Sequence, residues 1–160
     1  MKRLVVSMRR EPGIFPRQPL DSPERVYETV RDLADSDREV FEVLHLDIKY
    51  KLIARETIAI GTVDRALIGP RETFSGAMLN GTPNMILVHN HPSGDPAPSE
   101  QDRLLYDRLL AGAQILGLTI LDHVVVGADG FYSFSRTGAA PSASHFTRSA
   151  RSARCAADGR

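Results

Sequence analysis

The sequence predicts an α/β sandwich built on a mixed β-sheet. Three observations carry that expectation: two alternating stretches at residues 39–46 and 51–60 that read as a hairpin, an apolar run at residues 85–88, and a helix-period segment at residues 99–116 leading to another apolar strand at residues 118–126. The element order becomes α, β, β, α, β, α, β, β, as layered α/β proteins arrange it. In such sheets, ligands collect beyond the carboxyl ends of the strands.

Taken in order, residues 1–21 are a flexible lead-in, broken by Pro12, Gly13, Pro16 and Pro19. Ser22-Pro23-Glu24 reads as an N-cap, a first-turn proline and an early acid, opening a helix whose buried stripe is Val26, Val30 and Leu33 and which should end near Asp35. The hairpin follows, turning at residues 47–50 and closed by Gly61-Thr62. Residues 70–79 have a helical composition stopped by Asn80-Gly81. Residues 85–88 are nearly all apolar and suit a strand buried on both faces. The helix from Ser99 stops at Gly117, and the strand, helix, strand order predicts a parallel pair with a right-handed crossover. Residues 127–130 turn into a last strand at residues 131–134. After Gly138 the composition shifts to Ala, Ser, Arg and Gly, with Arg148, Arg151 and Arg154 at triplet spacing, so residues 139–160 are expected to be a disordered tail. Residues 22–138 are left as one domain.

Composition narrows the function. A chain of 160 residues suits a single core. Lys plus Arg and Asp plus Glu balance at 20 each, which disfavours a basic nucleic-acid groove. The one cysteine, Cys155, fits a reducing cytoplasm. Residues 1–10 lack the apolar region of a signal peptide, and no stretch is long enough to span a membrane.

The chemistry concentrates at residues 85–102. Side chains alternate along a strand, so His89 and His91 project from one side while Asn90 points away. A third ligand must come from elsewhere, and Asp102 lies three residues before Leu105 on the stripe that Leu105, Leu109 and Leu116 define. Two histidines and a carboxylate leave tetrahedral Zn²⁺ a fourth position for water, the pattern of a catalytic site. Each residue also has a plainer reading. Ser99-x-x-Asp102 is a capping-box pattern, an acid in a first helical turn is favoured by the macrodipole, and histidines can sit at a strand end as ordinary polar residues. The same three ligands also fit an iron facial triad, although such sites usually occupy β-rich scaffolds.

The string His89-Asn90-His91-Pro92-Ser93-Gly94-Asp95-Pro96-x-Pro98-Ser99-x-x-Asp102 closely resembles the signature of the RadC family, a bacterial branch of the JAB/MPN metalloenzymes with the JAMM motif. The likeness extends to Leu46-Asp47, Gly61-Thr62, Pro70-Arg71-Glu72 and Asp122-His123, across residues 22–138. It implies the JAB/MPN fold, a cytidine-deaminase-like three-layer architecture. It further implies a zinc-dependent hydrolase of amide or isopeptide bonds acting on protein or peptide, with one zinc ion on His89, His91 and Asp102. Glu39, before Val40-Phe41-Glu42-Val43-Leu44, matches the position of the family's catalytic glutamate, and Ser99 that of an oxyanion-stabilising hydroxyl. By alternation Glu42 belongs on the other face. Asp122-His123 is assigned a structural hydrogen bond, with support of a metal ligand as the alternative. His45 and His145 have no evident partners.

RadC relatives are also labelled DNA repair proteins, which gives a second expectation: an accessory protein of DNA repair or of mobile elements whose metal domain is a binding module. Longer members carry a helix-hairpin-helix module ahead of the metal domain. The segment before Ser22 is too short for one, so a compact form is expected. The His-x-Glu and Pro-Cys-x-x-Cys pattern of the zinc deaminases is absent.

Overall fold

The computed structural model describes residues 18–61 and 68–137. The lead-in through residue 17, Thr62, and everything from Gly138 onward, including His145, Cys155 and the arginine triplet, lie outside the described residues.

Helix α1 spans Pro23–Thr29, opened by Ser22, whose hydroxyl accepts the Arg25 N–H, and by Pro23 in the first turn. It stops at Thr29, six residues before the expected end near Asp35. Thr29 returns its hydroxyl to the Arg25 carbonyl at 2.7 Å, Val30 leaves helical geometry at φ −115°, and a 3-10 helix at Arg31–Asp35 carries the chain on. Val26, Val30 and Leu33 are buried all the same.

Among the described residues, five strands form one mixed sheet. They are β1 (Val40–Leu46), β2 (Leu52–Ile60), β3 (Asn84–Asn90), β4 (Thr119–Val126) and β5 (Phe131–Ser133), ordered β2-β1-β3-β4-β5. Only β3 and β4 are parallel, and the helix between them makes that possible. Helices α2 (Pro70–Asn80) and α3 (Glu100–Leu116) each end on a left-handed glycine, Gly81 at φ 63° and Gly117 at φ 69°.

Strand alternation sorts the core into two halves. Phe41, Val43, Met85, Leu87 and Val125 meet Phe74, Leu105, Tyr106 and Leu109 of α2 and α3. Val40, Leu44, Ile86, Val88 and Val124 meet Val26, Val30 and Leu33. Three layers result: α1 with the 3-10 helix, the sheet, and α2 with α3. Asp102, Leu105, Tyr106, Leu109 and Ala113 form the buried stripe of α3. Leu116 shares that angular position, but as the last residue before Gly117 it is 43% exposed.

Two departures from the expected strands matter for the site. Strand β3 continues past Val88 to Asn90, pairing His89 with Val125 and Asn90 with Val126, so His89 is a fully paired sheet residue. In β4 a register shift faces the Met85/Ile86 step: Ile120 sits opposite Met85, yet Asp122 sits opposite Ile86. The extra residue, Leu121, reverses the alternation downstream. It turns His123 toward the helix α2 and α3 face, where simple counting from Ile120 would have it on the other. Asp122 holds this irregularity by accepting the His123 and Ser135 amides at 2.7 and 2.8 Å and the Ser133 hydroxyl at 2.6 Å.

The loop after β3 is pinned to the turn after β4. Ala128 N–H donates to the Gly94 carbonyl at 2.9 Å, and a Cβ on Gly127 would lie 2.5 Å from that oxygen and 2.7 Å from Pro96 Cδ. Both obstacles are backbone or ring atoms that cannot swing away. Gly127→Ala should therefore cost about 1–3 kcal/mol, as overpacking does, read as a lowered urea midpoint with an unchanged slope.

Candidate metal centre

Four acid and imidazole side chains converge where β1 begins, β3 ends and α3 begins. One ligand atom from each of Glu39, His89, His91 and Asp102 can be chosen so that all lie within 4.8 Å of one another. The sheet supplies two of the four positions. Glu39 immediately precedes β1, its carbonyl accepting the Gly61 amide at 2.9 Å, and His89 stands two residues before His91 at the end of β3. His89 is 1% exposed, and His91 N–H donates to the Val126 carbonyl at 3.0 Å, so the strand direction persists one residue beyond the ladder.

Asp102 comes from α3. Its carboxylate accepts the Ser99 amide at 2.7 Å and the Ser99 hydroxyl at 2.6 Å, while the Asp102 amide returns to Ser99 Oγ at 3.2 Å. This is a complete capping box. The cap and the site therefore use the same two residues: the box fixes the carboxylate, and the fixed carboxylate reaches His89 Nε2 at 3.1 Å and His91 Nε2 at 3.5 Å. The ordinary reading of Ser99-x-x-Asp102 and the metal reading describe one geometry.

The far side of each ring orients it. His91 Nδ1 lies 2.8 Å from the Asp95 carbonyl, which can only accept, so Nδ1 carries a proton and, in the neutral ring, Nε2 presents a lone pair. His89 Nδ1 lies 2.8 Å from His123 Nε2. His123 is fully buried among Phe41, Tyr106 and Phe134, stacked on the last at 13° between planes. With Nδ1–H of His89 donating to His123, His89 Nε2 also presents a lone pair. The two Nε2 atoms are 3.1 Å apart, beside the oxygens of a carboxylate. Facing lone pairs and a negative charge repel one another unless a proton or a cation lies between them. Imidazole nitrogen with carboxylate oxygen is a donor set suited to a divalent transition metal.

Ionisation follows the same contacts. Burial pushes His89 down from its ordinary 6.5 and keeps it neutral, against the opposing pull of Asp102. His91 is raised, first by its hydrogen bond to Asp102 and against its partial burial. Burial alone would raise the Asp102 carboxyl, but the adjoining imidazoles of His89 and His91 and the Ser99 hydroxyl hold it below the carboxylate range.

Of the residues singled out in the sequence, Glu39, His89, His91, Ser99 and Asp102 are all brought together here. Glu42 lies on the opposite face, joined to Arg55 and to Thr57 Oγ1. Asp122 contacts backbone and serines, while His123 touches His89 directly. His45, without a partner by sequence, meets Glu56 Oε2 at 2.7 Å. Sequence reading gave no weight to Asn90, whose amide is engaged through both its oxygen and its nitrogen at the start of β1, accepting the Val40 N–H at 2.8 Å and donating to the Arg38 carbonyl at 3.0 Å.

A cation must displace the proton that Asp102 stabilises on His91, whereas His89 is already neutral. Affinity for a divalent metal should climb with pH by up to about tenfold per unit for one released proton, levelling once the pH passes the raised His91 value above 6.5. Calorimetric titration in buffers of different ionisation enthalpy would count the released protons, with one expected near neutrality.

Residues 20–139 match the family model described as the RadC-like JAB domain. A UPF0758 protein of Thermotoga maritima is 41% identical over 137 residues, 86% of this chain and 60% of its own length. One from Desulforamulus reducens is 43% identical over 136 residues, 85% of this chain and 59% of its own. A third, from Methanosarcina mazei, is 37% identical over 118 residues, covering 73% and 51%. The chain thus spans between about half and three fifths of the length of these curated relatives. With its JAB/MPN-type α/β sheet and this cluster at the strand ends, the chain belongs to the RadC-like JAB domain family.

Proposed function

We propose that this protein is a zinc-dependent hydrolase of JAMM type that cleaves an amide or isopeptide bond in a protein or peptide. The observation that carries the reading is the convergence of Glu39, His89, His91 and Asp102, in a chain of the JAB family. His89, His91 and Asp102 are assigned as ligands, since their Nε2 and Oδ atoms face one another at 3.1–3.5 Å and each is oriented from behind. Glu39 is assigned as general base.

Zinc held by these ligands would supply Lewis-acid polarisation of the scissile carbonyl and water activation near neutral pH. The chain supplies the remainder. Glu39 takes a proton from the attacking water and delivers it to the departing nitrogen, so that the amine leaves neutral. The Ser99 hydroxyl, which donates its one proton to Asp102 Oδ2 at 2.6 Å, is assigned to turn that proton to the carbonyl oxygen as it gains charge. His89 and His91 hold their lone pairs inward. A cavity of about 430 Å³ lined by Asp37, Arg38, Glu39, Gly61 and Pro92 opens beside the base.

No helix among the described residues is long and apolar enough to cross a membrane. We place the enzyme in the cytoplasm, a reading supported by the single cysteine. Protein purified without added metal should contain one zinc per chain by elemental analysis. Glu39→Gln should retain that zinc yet lose at least about 100-fold in peptide or isopeptide hydrolysis. Parental turnover by Glu39→Gln, or iron in place of zinc, would overturn the assignment.

A further inference from the structure

The residue between the two histidines is buried, 1% exposed, and faces away from the metal ligands. Its amide oxygen accepts the Val40 N–H at 2.8 Å and its amide nitrogen donates to the Arg38 carbonyl at 3.0 Å. These contacts bracket Glu39. The Arg38 carbonyl belongs to the peptide group preceding the Glu39 Cα, and the Val40 N–H to the one following it. One side chain therefore fixes both peptide planes that define φ and ψ of Glu39.

The main-chain pairing of β3 does not do this. The ladder between β1 and β3 runs from Leu46↔Asn84 to Phe41↔His89 and stops there, one residue short of Val40. The Asn90 amide continues the pairing with side-chain atoms where main-chain atoms leave off. On the opposite side of β1, the Glu39 carbonyl is held by Gly61 N–H at 2.9 Å, and Ser36 Oγ shares the Arg38 carbonyl at 2.9 Å. Neither contact ties Glu39 to the strand that carries the histidines. An amide suits the task because it combines an acceptor oxygen and a donor nitrogen on one planar group, and both atoms are used.

We propose that Asn90 is a positioning residue that sets the place of the Glu39 carboxylate relative to His89 and His91. Its neighbours in sequence supply the imidazoles on one face of β3, and it grips the base's backbone from the other. A shift of the base by about 1 Å is enough to cost about two orders of magnitude in rate, while the ligands, each oriented by its own partner, stay where they are. This inference rests on the assignment of Glu39 as base.

The test uses the full chain loaded with zinc. Asn90→Ala is expected to lower kcat 10- to 100-fold, leave KM and zinc affinity within about twofold of the parent, and accelerate hydrogen exchange at the Val40 amide. The exchange measurement does not depend on turnover. Should Asn90→Ala fail to fold, Asn90→Asp keeps the acceptor for Val40 and loses the donor to Arg38, and the same fall in kcat with zinc retained is expected. Parental kcat with unchanged Val40 exchange in a folded Asn90 variant would overturn the proposal. So would loss of zinc in parallel with activity, which would mark Asn90 as support for the ligands. An active Glu39→Gln would instead defeat the assignment of the base, leaving the exchange result to judge the clasp by itself.

Discussion

An ionised carboxylate held almost out of water is the constraint on which this structure depends. The Asp102 side chain is 2% exposed, and a charge so placed costs several kcal/mol unless hydrogen bonds and an opposite charge replace its lost hydration. Ser99 supplies two of those bonds through its amide and hydroxyl, and His89 and His91 stand on the remaining side. Ser99 must be at the helix start to do so. The start of α3 must lie against the end of β3, and the residues between them must take the short path that Pro92, Pro96 and Pro98 stiffen. The charge that burial makes expensive is also what renders the place attractive to a cation.

Much of this was legible in the sequence because it follows from two periods. A repeat of two puts His89 and His91 on one side of a strand, and a repeat near 3.6 puts Asp102 in line with Leu105 and Leu109; both hold. The glycines at 81 and 117 and the cap at Ser22 are also where local chemistry puts them. The family resemblance, and not the pattern of residues, singled out Glu39 from other strand-start acids, and the sheet brings it beside the histidines.

What the sequence hid is what depends on register between distant segments. Counting alternate residues from Ile120 sends His123 to the wrong face, and only the irregularity opposite Met85/Ile86 returns it to His89. Asn90 reads as the residue pointing away, because nothing local says that the strand beneath it runs out of main-chain partners one residue early. The pairing of His45 with Glu56 hides for a related reason. It needs the hairpin register, and it needs the absence of a side chain at Gly76, where a Cβ would fall 1.9 Å from Glu56 Oε2.

The seam between the ligand loop and the end of β4 has a dynamic consequence. His91 N–H reaches Val126, Ala128 N–H reaches Gly94, and Gly127 lies against Pro96, so the loop and the β4–β5 connection form one surface. Segments knit in this way open together as a single cooperative unit. Proteolytic nicking at the solvent-facing tip near Asp129 would then release His91 and its loop as well, and occupancy of the centre by a cation would protect that distant tip from cleavage.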